Sequence, residues 1–435
     1  MSDQLRMRML DCSAAQTTIL KNRWPNKKRF DSEVAGQAKT IIEDVKKRGD
    51  SALVDFAQKF DGVKLSKSQI KVDNEDIRKA YLKVSKAQVS AIKFIKRRVE
   101  TSQKKFLRQL NFQYKANGVN IQSCVAPIRR LGCYVPGGEA AYPSSLVMTI
   151  TPAKVAGVPE IAVCSPPRSE GEIDPSILVA ADICGVNEVY RVGGAQAVAA
   201  MAYGTETIKP VDKLVGPGNK YVVAAKMLVS QDLPIDVPAG PSEIVVLADE
   251  TANPCTVALD MISQAEHLDG VAVLVTTSRK VSESVAKELQ KAIKTIPNRG
   301  MVTQNLSKNG CIVVCRDIQE AVGFVNEFAP EHLEVLSNDG WNVAEQIKSA
   351  GLVLVGDYTP VAASDYCLGT VHVLPTEGFS HVYSGLSVFD FVKRFNIVEC
   401  SRQGLLKARK TAKVMAEAEG LLNHSLAVEG RFKNA

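Results

Sequence analysis

Apolar positions between residues 31 and about 110 recur at intervals of three and four along the chain. One such set is Val34, Ala38, Ile41, Ile42 and Val45, and a second is Ile77, Ala80, Tyr81 and Val84. This spacing predicts amphipathic helices. Residues 1–30 show little periodicity and contain the polar run 21–28, so we expect them to form an arm outside the hydrophobic core.

Short apolar runs alternate with alanine-rich helical segments over the rest of the chain. Strands are predicted at residues 119–125, 132–135, 160–164, 188–192, 213–215, 243–248, 271–275, 311–314 and 351–355. Helices are predicted at residues 143–156, 175–184, 194–203, 253–267, 281–296 and 318–328, and again from about residue 389. Such alternation favours right-handed crossovers between parallel strands. The predicted fold class is therefore α/β, with two incomplete Rossmann-like domains of mostly parallel sheets and small N- and C-terminal helical arms.

Length and composition are those of a globular protein with more than one core. The chain has 435 residues, of which 45% are hydrophobic and 23% are charged, and this length favours two domains. The opening residues are polar, so we expect no signal peptide. Pro152, Lys154 and Pro159 interrupt the longest apolar stretch, residues 146–164. We therefore expect a soluble, cytoplasmic protein with no membrane partner.

The formal net charge of +7 does not by itself indicate a nucleic-acid partner. Its basic residues are mixed with acidic ones on helical stretches, and aromatic residues make up only 6% of the chain. Nucleic-acid binding requires basic charge on one face beside groups that read or stack on bases. We interpret the charge as an ordinary solvated surface and expect no nucleic-acid partner.

Most of the ten cysteines occur singly, several of them within apolar runs. The close pair Cys311 and Cys315 lies on a predicted strand, without a second Cys or His pair to complete a tetrahedral metal site. Buried free thiols that fill the core are the favoured interpretation.

Two glycine-rich loops follow predicted strands. They are Gly193-Gly-Ala-Gln and Gly216-Pro-Gly-Asn, and such loops offer backbone amides to an anion. Neither has the G-x-G-x-x-G spacing, although Asp212 and Asp236 fall near the distance expected of a ribose-binding acid. A dinucleotide site and plain turn glycines both remain open on this evidence.

Four of the five histidines lie beside other polar residues. Gln264 and His267 are three residues apart on a predicted helix, which places them on one face. The other three histidines each follow an acidic residue closely: Glu331 and His332, Asp365 and His372, Glu419 and His424. A single histidine is more often structural than functional. Taken together, these imidazole, carboxylate and amide groups suit zinc.

Several of these segments closely resemble the histidinol dehydrogenase family. The signature match runs from Ile235-Asp-Val-Pro-Ala-Gly-Pro-Ser242 to Gln264-Ala-Glu-His267. The other matching segments are Gly132-Cys-Tyr134-Val-Pro-Gly-Gly, Val-Gly-Gly-Ala-Gln196-Ala, Val-Gly-Pro-Gly-Asn219-Lys-Tyr-Val, Ala-Pro-Glu331-His332-Leu-Glu, Ser-Asp365-Tyr and Ser-Gly-Leu-Ser-Val at 384–388. They extend from about residue 130 to near the end of the chain.

The resemblance implies an NAD- and zinc-dependent enzyme that oxidises L-histidinol to L-histidine through L-histidinaldehyde, a four-electron reaction of histidine biosynthesis. It also implies one Zn²⁺ per subunit and a homodimer with shared active sites. By position, the zinc ligands are Gln264, His267, Asp365 and His424. His332 matches the general base and Glu331 the residue that activates water.

The same resemblance assigns the remaining site residues and the domain limits. The substrate-binding set is Ser242, Gln264, His267, His332, Asp365, His372, Glu419 and His424, and the cofactor side has Tyr134, Gln196 and Asn219. We expect an N-terminal arm at 1–30, a zinc- and substrate-binding domain at 31–133 together with 243–386, an NAD-side domain at 134–242, and a C-terminal helical segment at 387–435 that reaches the partner subunit.

Two features depart from the family pattern, and two rival functions fit the same fold. Val371 stands where an asparagine usually precedes the histidine that matches His372, and an acidic residue often found earlier in that loop is absent. One rival is a paralogous zinc- and NAD-dependent dehydrogenase acting on another small diol or amino alcohol. The other is a catalytically silent protein on the same scaffold. Glu331, Glu419 and His372 are all present, which favours histidinol over another substrate. A silent protein is expected to lose the base or a metal ligand, and none of these residues is lost.

Overall fold

Three β-sheets organise the chain, as described by a computed structural model for residues 5–23, 32–137, 141–186, 188–237 and 240–432. The strands are β1 (Arg8–Asp11), β2 (Gln113–Ala116), β3 (Val119–Pro127), β4 (Arg130–Tyr134), β5 (Glu160–Ser165), β6 (Glu188–Arg191), β7 (Lys213–Val215), β8 (Glu243–Ala248), β9 (Val271–Thr276), β10 (Cys311–Val314), β11 (His332–Leu336), β12 (Leu352–Val355) and β13 (Val392–Cys400). Most of the polar run 21–28 and residues 238–239 of the signature segment lie outside the described residues.

Helices cover both parallel sheets. They are α1 (Cys12–Thr18), α2 (Ser32–Arg48), α3 (Asp50–Phe56), α4 (Asn74–Lys83), α5 (Lys86–Arg108), α6 (Pro143–Ala156), α7 (Pro175–Ile183), α8 (Gly194–Tyr203), α9 (Lys220–Val229), α10 (Pro254–Ala265), α11 (Arg279–Ala292), α12 (Arg299–Asn309), α13 (Ile318–Phe328), α14 (Gly340–Ala344), α15 (Val361–Tyr366), α16 (Arg402–Ala418) and α17 (Leu422–Glu429). Within the described ranges, no helix is long and apolar enough to cross a membrane.

The two larger sheets are entirely parallel. The six-stranded sheet has the order β1-β10-β9-β8-β11-β12, and the four-stranded sheet has the order β6-β5-β4-β7. A third sheet, β13-β3-β2, is antiparallel. The α/β fold class with mostly parallel sheets is confirmed.

Both faces of the six-stranded sheet are buried, which explains the continuous apolar runs of its strands. Along β8, Ile244 and Val246 pack in the core that includes residues of α10 and α11. Val245 points to the opposite face and packs in a second core with residues of α13. A helix therefore lies on each face of the sheet, as right-handed crossovers require.

The N-terminal segment departs from its prediction. Residues 1–30 were expected to lie outside the core, but β1 pairs in parallel with β10, and Cys12, Ala15 and Leu20 are buried. The expectation is therefore wrong for residues 5–23. A four-residue edge strand is too short to show a period, and only its pairing with a distant strand reveals it.

Strand β13 is a second departure, because the chain was expected to become helical from about residue 389. Residues 392–400 instead pair antiparallel with β3 over nine residues, and helix resumes at α16. Eight of the nine residues of β13 are exposed, so no buried face imposes an alternating pattern on this segment.

Arg23 binds the N-terminal segment to the six-stranded sheet through a buried ion pair. Its guanidinium donates two hydrogen bonds to the Glu243 carboxylate, at 2.7 and 2.8 Å, and a third to the Phe328 carbonyl at 2.6 Å. It also lies 3.6 Å from the centroid of the Phe328 ring. Both partners of the ion pair are buried, at 7% and 1% exposure. Glu243 begins β8, so this pair lies at the amino end of the sheet.

The Arg23→Met variant should be destabilised, because it leaves the Glu243 carboxylate buried without its cation. Breaking a buried ion pair costs about 3–5 kcal/mol, and we expect a loss of this size in the free energy of unfolding measured with urea. The matched control is Arg279→Met, whose pair with Asp11 is exposed, and a surface pair contributes about 0–1 kcal/mol. Equal losses in the two variants would contradict this prediction.

Candidate active site

The amino ends of three neighbouring strands bring the predicted catalytic residues together. In the parallel register, His332 of β11 lies opposite Ile244 of β8 and Leu352 of β12. Glu243, the first residue of β8, donates its backbone N–H to Glu331 Oε2 at 2.8 Å. Glu331 and His332 are 5% and 3% exposed. Strand pairing therefore holds this acid and this imidazole against the β8 backbone.

His332 has one ring nitrogen occupied and one available. Its Nδ1 lies 3.3 Å from the Glu243 carbonyl oxygen and 3.7 Å from Glu331 Oε2. Its Nε2 lies 3.7 Å from Asp365 Oδ1 and has no hydrogen-bond partner. Burial lowers the pKa of His332, but the Glu331 and Asp365 carboxylates outweigh it, so the net pKa is raised.

Asp365 and His372 form the second part of the site. Asp365 lies on α15, and its backbone carbonyl is 2.9 Å from His372 Nδ1. His372 Nε2 lies 3.2 Å from the Ser145 hydroxyl, at the start of α6. Burial lowers the pKa of His372, which favours the neutral ring. The contact between His372 and Ser145 therefore connects the site at the six-stranded sheet to α6, which packs on the four-stranded sheet.

Val371, the departure from the family pattern, is 6% exposed and belongs to the apolar core that contains Val373 and Phe391. Its side chain is therefore part of the packing. The adjacent His372 is still held by the Asp365 carbonyl and the Ser145 hydroxyl.

Helix α10 brings Gln264 and His267 to the same edge of the sheet. It connects two parallel strands, so it runs antiparallel to them and ends beside their amino ends. Gln264 is 2% exposed, and its Nε2 has no hydrogen-bond partner. His267 lies just beyond the helix and is exposed. Helices α10 and α15 contact each other, which places Gln264 and Asp365 on neighbouring elements.

Glu419 and His424 are not brought to this pocket within the chain. Glu419 immediately follows α16 and His424 lies on α17, and both side chains are exposed. Across the described ranges, neither side chain forms a hydrogen bond or an ion pair. The predicted four-ligand set is therefore divided between the pocket and a separate surface.

The donors in the pocket suit zinc by chemistry. A buried amide without a partner, a carboxylate and a nearby exposed imidazole supply the nitrogen and oxygen atoms that zinc accepts. Gln264, Asp365 and His267 therefore fit part of a zinc site. One further nitrogen or oxygen donor would complete a tetrahedral set.

A different cluster is more compact but suits a metal less well. Cys12, Cys315 and Glu320 are the one group of three acidic, thiol or imidazole residues in the described ranges whose ligand atoms all lie within 4.8 Å of one another. Burial raises the pKa of both thiols. Glu320 already accepts hydrogen bonds from the Arg316 side chain and backbone. Cys311 and Cys315 are buried as free thiols, in agreement with the core-filling interpretation.

The residues expected on the cofactor side lie near the carboxyl ends of the four-stranded sheet. Tyr134 ends β4, and its hydroxyl accepts a hydrogen bond from Gly194 N–H at 3.2 Å. Gln196 is buried on α8. The Asn219 side chain caps α9 by accepting from the backbone of Tyr221 and Val222.

Ser242, which is predicted to bind the substrate, is half-buried and lies immediately before β8.

The loop after β7 requires glycine. Gly216 has φ +118°, and a Cβ there would overlap the Tyr134 carbonyl. Buried Asp236 accepts from Gly216 N–H at 2.6 Å and pairs with Lys226. Asp212 pairs with Arg129 and accepts from the Arg130 backbone. Both aspartates weighed as ribose ligands therefore have partners within the protein.

Ser145, Glu243 and Arg23 were missed as site residues. No spacing rule connects them to the site, because Ser145, Glu243 and Arg23 lie 227, 89 and 220 positions from the residues that they contact, which are His372, His332 and Glu243. The one available signal was for Glu243, which follows Ser242 in the signature segment and is an acid at the start of an apolar strand.

Comparison with known proteins identifies the family of this chain. A family model described as histidinol dehydrogenase matches residues 25–432. The histidinol dehydrogenase of Methanothermobacter thermautotrophicus is 42% identical over 92% of this chain and 94% of its own length. That of Listeria monocytogenes is 42% identical over 92% and 93%. The crystal structure of histidinol dehydrogenase from Elizabethkingia anophelis has a TM-score of 0.92 at 34% identity and covers 99% of this chain and 98% of its own. The chain therefore belongs to the histidinol dehydrogenase family.

Proposed function

We propose that this chain carries out the NAD-dependent oxidation of L-histidinol to L-histidine via L-histidinaldehyde, with His332 as the general base. The observation that carries the proposal is the unpartnered Nε2 of buried His332, held from its other side by the β8 backbone. The histidinol dehydrogenase family, to which this chain belongs, catalyses this oxidation as the final steps of histidine biosynthesis.

The hydrogen bond of His332 selects its tautomer. A carbonyl can only accept, so the contact with the Glu243 carbonyl places the proton on Nδ1 and leaves a lone pair on Nε2. An alcohol is a poor hydride donor until its hydroxyl loses a proton. Nε2 takes that proton in the first oxidation, while the carboxylates of Glu331 and Asp365 stabilise the imidazolium that forms.

Glu331 acts in the second oxidation. One carboxylate oxygen, Oε2, accepts the Glu243 N–H, which fixes the orientation of the group and leaves Oε1 for a water molecule. The aldehyde has no hydride to give until water has added to its carbonyl carbon. Glu331 activates that water, and a second hydride then leaves the hydrated aldehyde.

NAD⁺, when bound, would supply the hydride acceptor for each oxidation, and zinc would supply an anchor for the amine and imidazole of the substrate. Gln264, His267 and Asp365 of one subunit would hold the zinc together with the partner subunit's His424. Ser242, His372 and the partner subunit's Glu419 would contact the substrate, and the carboxylate of Glu419 suits its cationic amine. Tyr134, Gln196 and Asn219 would lie toward NAD⁺.

The domain division follows the same assignment. We assign residues 134–242 to the NAD side, and residues 31–133 with 243–386 to the zinc and substrate side. The enzyme would act in the cytoplasm as part of amino-acid biosynthesis.

The exposed surface of the C-terminal segment supports a homodimer. Phe395, Ile397 and Val398 of β13 are 50–58% exposed, and Leu422 and Leu426 of α17 are 62% and 59% exposed. Apolar side chains concentrated in this way are typical of a protein interface. The exposed His424 and Glu419 lie on the same segment, so a partner that covers it could receive them.

Purified, zinc-loaded protein supplied with NAD⁺ and L-histidinol should form two NADH per substrate and release histidine. The NADH yield and chromatography of the product test this stoichiometry. A yield of one NADH, or no turnover with histidinol but turnover of another small diol, would contradict the proposal.

The His332→Asn variant should lose about 100- to 10,000-fold in kcat, the range that a general base contributes, while it keeps its zinc. Steady-state NADH formation and metal analysis of the purified variant measure the two effects. His381→Asn is the control, because it makes the same change at the one histidine that was not predicted to act. Wild-type turnover by His332→Asn would remove His332 as the base.

Mixing two inactive variants should restore activity if the C-terminal segment serves the partner. A heterodimer of His332→Asn and His424→Ala subunits contains one site with both histidines intact. Random reassociation after mild denaturation should then recover about a quarter of wild-type activity, since half the dimers are mixed and each has one good site. The control mixture is His332→Asn with Glu331→Gln, which should recover none because both changes lie in the pocket of their own chain. No recovery in the first mixture would contradict the exchange.

A further inference from the structure

One buried and one half-buried carboxyl group lie beneath the proposed site and have no role in the mechanism above. Glu334, on β11, is 1% exposed, and Asp260, on α10, is half-buried. Glu334 follows His332 by two residues on the same strand, so both side chains point to the same face of the sheet. That face is covered by α10 and by the start of α15.

One oxygen of Glu334 is used to hold α15. Its Oε1 accepts a hydrogen bond from the Val361 N–H at 2.7 Å. Val361 is the first residue of α15, and its N–H has no partner within the helix. Asp365 lies on the last turn of this six-residue helix. Glu334 therefore connects the strand that carries His332 to the helix that carries Asp365.

The carboxyl group of Glu334 also interacts with that of Asp260, which lies within hydrogen-bond reach of it on α10. With both groups ionised, Glu334 Oε2 is buried without a hydrogen-bond partner, and two adjacent carboxylates would repel each other. Burial and the Asp260 charge raise the pKa of Glu334, and burial raises that of Asp260. A proton placed between the two groups supplies the missing hydrogen bond and removes the repulsion.

Among the described residues, no other side chain forms a hydrogen bond or an ion pair with the carboxyl group of Glu334 or Asp260. Glu334 lies opposite Val246 of β8 and Leu354 of β12 in the strand register, and both are buried apolar residues. The charged or titratable groups that act on Glu334 are Asp260 from α10 and His332 from its own strand. Asp260 is four residues before Gln264, and therefore on the same side of α10.

We propose that Glu334 and Asp260 share one proton, and that this pair is a positioning element that holds α10 and α15 against β11. It thereby orients Gln264 and Asp365 toward His332. The zinc part of this inference rests on the ligand set proposed above, whereas the attachment of α15 does not.

The test compares Glu334→Ala and Glu334→Gln with the control Val246→Ala. The glutamine keeps an acceptor for Val361 N–H and supplies a permanent donor to Asp260. Val246→Ala removes packing in the same layer of the core without touching either hydrogen bond. Three quantities are measured for each variant: amide exchange of residues 361–366, Zn²⁺ affinity by competition with a chelator, and kcat and KM for histidinol.

In Glu334→Ala we expect faster exchange in α15 and a Zn²⁺ affinity lower by about 10- to 100-fold, the usual cost of losing a group that orients metal ligands. We expect Glu334→Gln to remain close to wild type in all three quantities. Val246→Ala should lower the melting temperature but leave the exchange of α15 and the zinc affinity unchanged. Asp260→Ala provides a second route if Glu334→Ala does not fold, and should also weaken zinc binding.

The dependence on pH separates a shared proton from an ordinary hydrogen bond. As pH rises through the raised pKa of Glu334, the pair loses its proton and its carboxylates repel, so wild-type zinc affinity should fall relative to that of Glu334→Gln. Both proteins keep His332 and the same proposed zinc ligands. The ratio of their zinc affinities therefore reports only on the protonation of the Glu334–Asp260 pair.

Three results would overturn the inference. The first is wild-type amide exchange and zinc affinity in both Glu334→Ala and Asp260→Ala. The other two are losses as large as those of Glu334→Ala in either Val246→Ala or Glu334→Gln. A constant affinity ratio across pH would also overturn the shared proton. Failure of the wild-type protein to oxidise histidinol would instead contradict the proposed function, while exchange and zinc binding would still decide the role of Glu334.

Discussion

The parallel pairing of β8 with β11 is the constraint on which the rest of the site depends. It places the Glu243 backbone between Glu331 and His332, so that its N–H binds the carboxylate and its carbonyl orients the imidazole. The Glu243 side chain is in turn held by Arg23 from the N-terminal segment. Glu243 thus takes part in a buried ion pair, in backbone hydrogen bonds to Glu331 and His332, and in the first residue pair between β8 and β9. A shift of one residue in this register would move His332 to the opposite face of the sheet.

The two parallel sheets contribute opposite edges to the site. Ligands of open α/β sheets usually lie at the carboxyl ends of the strands, and the four-stranded sheet presents Tyr134 and the loops after β6 and β7 at this edge, where we propose that NAD⁺ binds. The six-stranded sheet instead offers the amino ends of β8, β11 and β12, together with the end of α10. The contact between His372 and Ser145 connects the two units. This arrangement suits a reaction in which one unit orients a dinucleotide while the other orients the alcohol.

Buried charge is concentrated where the site needs rigidity. Glu243, Glu331 and Glu334 are each at most 5% exposed, and each has a backbone or side-chain partner that fixes one of its oxygens. Burying charged groups is costly in itself, so hydrophobic packing alone would favour apolar residues at these positions. These acids instead fix the orientation of their neighbours, because a hydrogen-bonded carboxylate orients a strand, a helix or an imidazole. The exposed C-terminal segment is the opposite case, because its apolar side chains are not covered by any of the residues that the structure describes.

The sequence by itself determined most of the elements, because strands of alternating or continuous apolar residues and helices of period 3.6 are local patterns. The predicted limits of α6, α8, α13 and β8 agree with the structure, and the resemblance indicated the family from motifs such as Glu331-His332. Only the tertiary structure decided which distant residues meet. The pairing of β1 with β10, the Arg23–Glu243 ion pair and the hydrogen bond from Val361 to Glu334 join segments with no common period. Strand β13 was missed for a related reason, since a segment without a buried face within its own chain carries no alternating pattern to read.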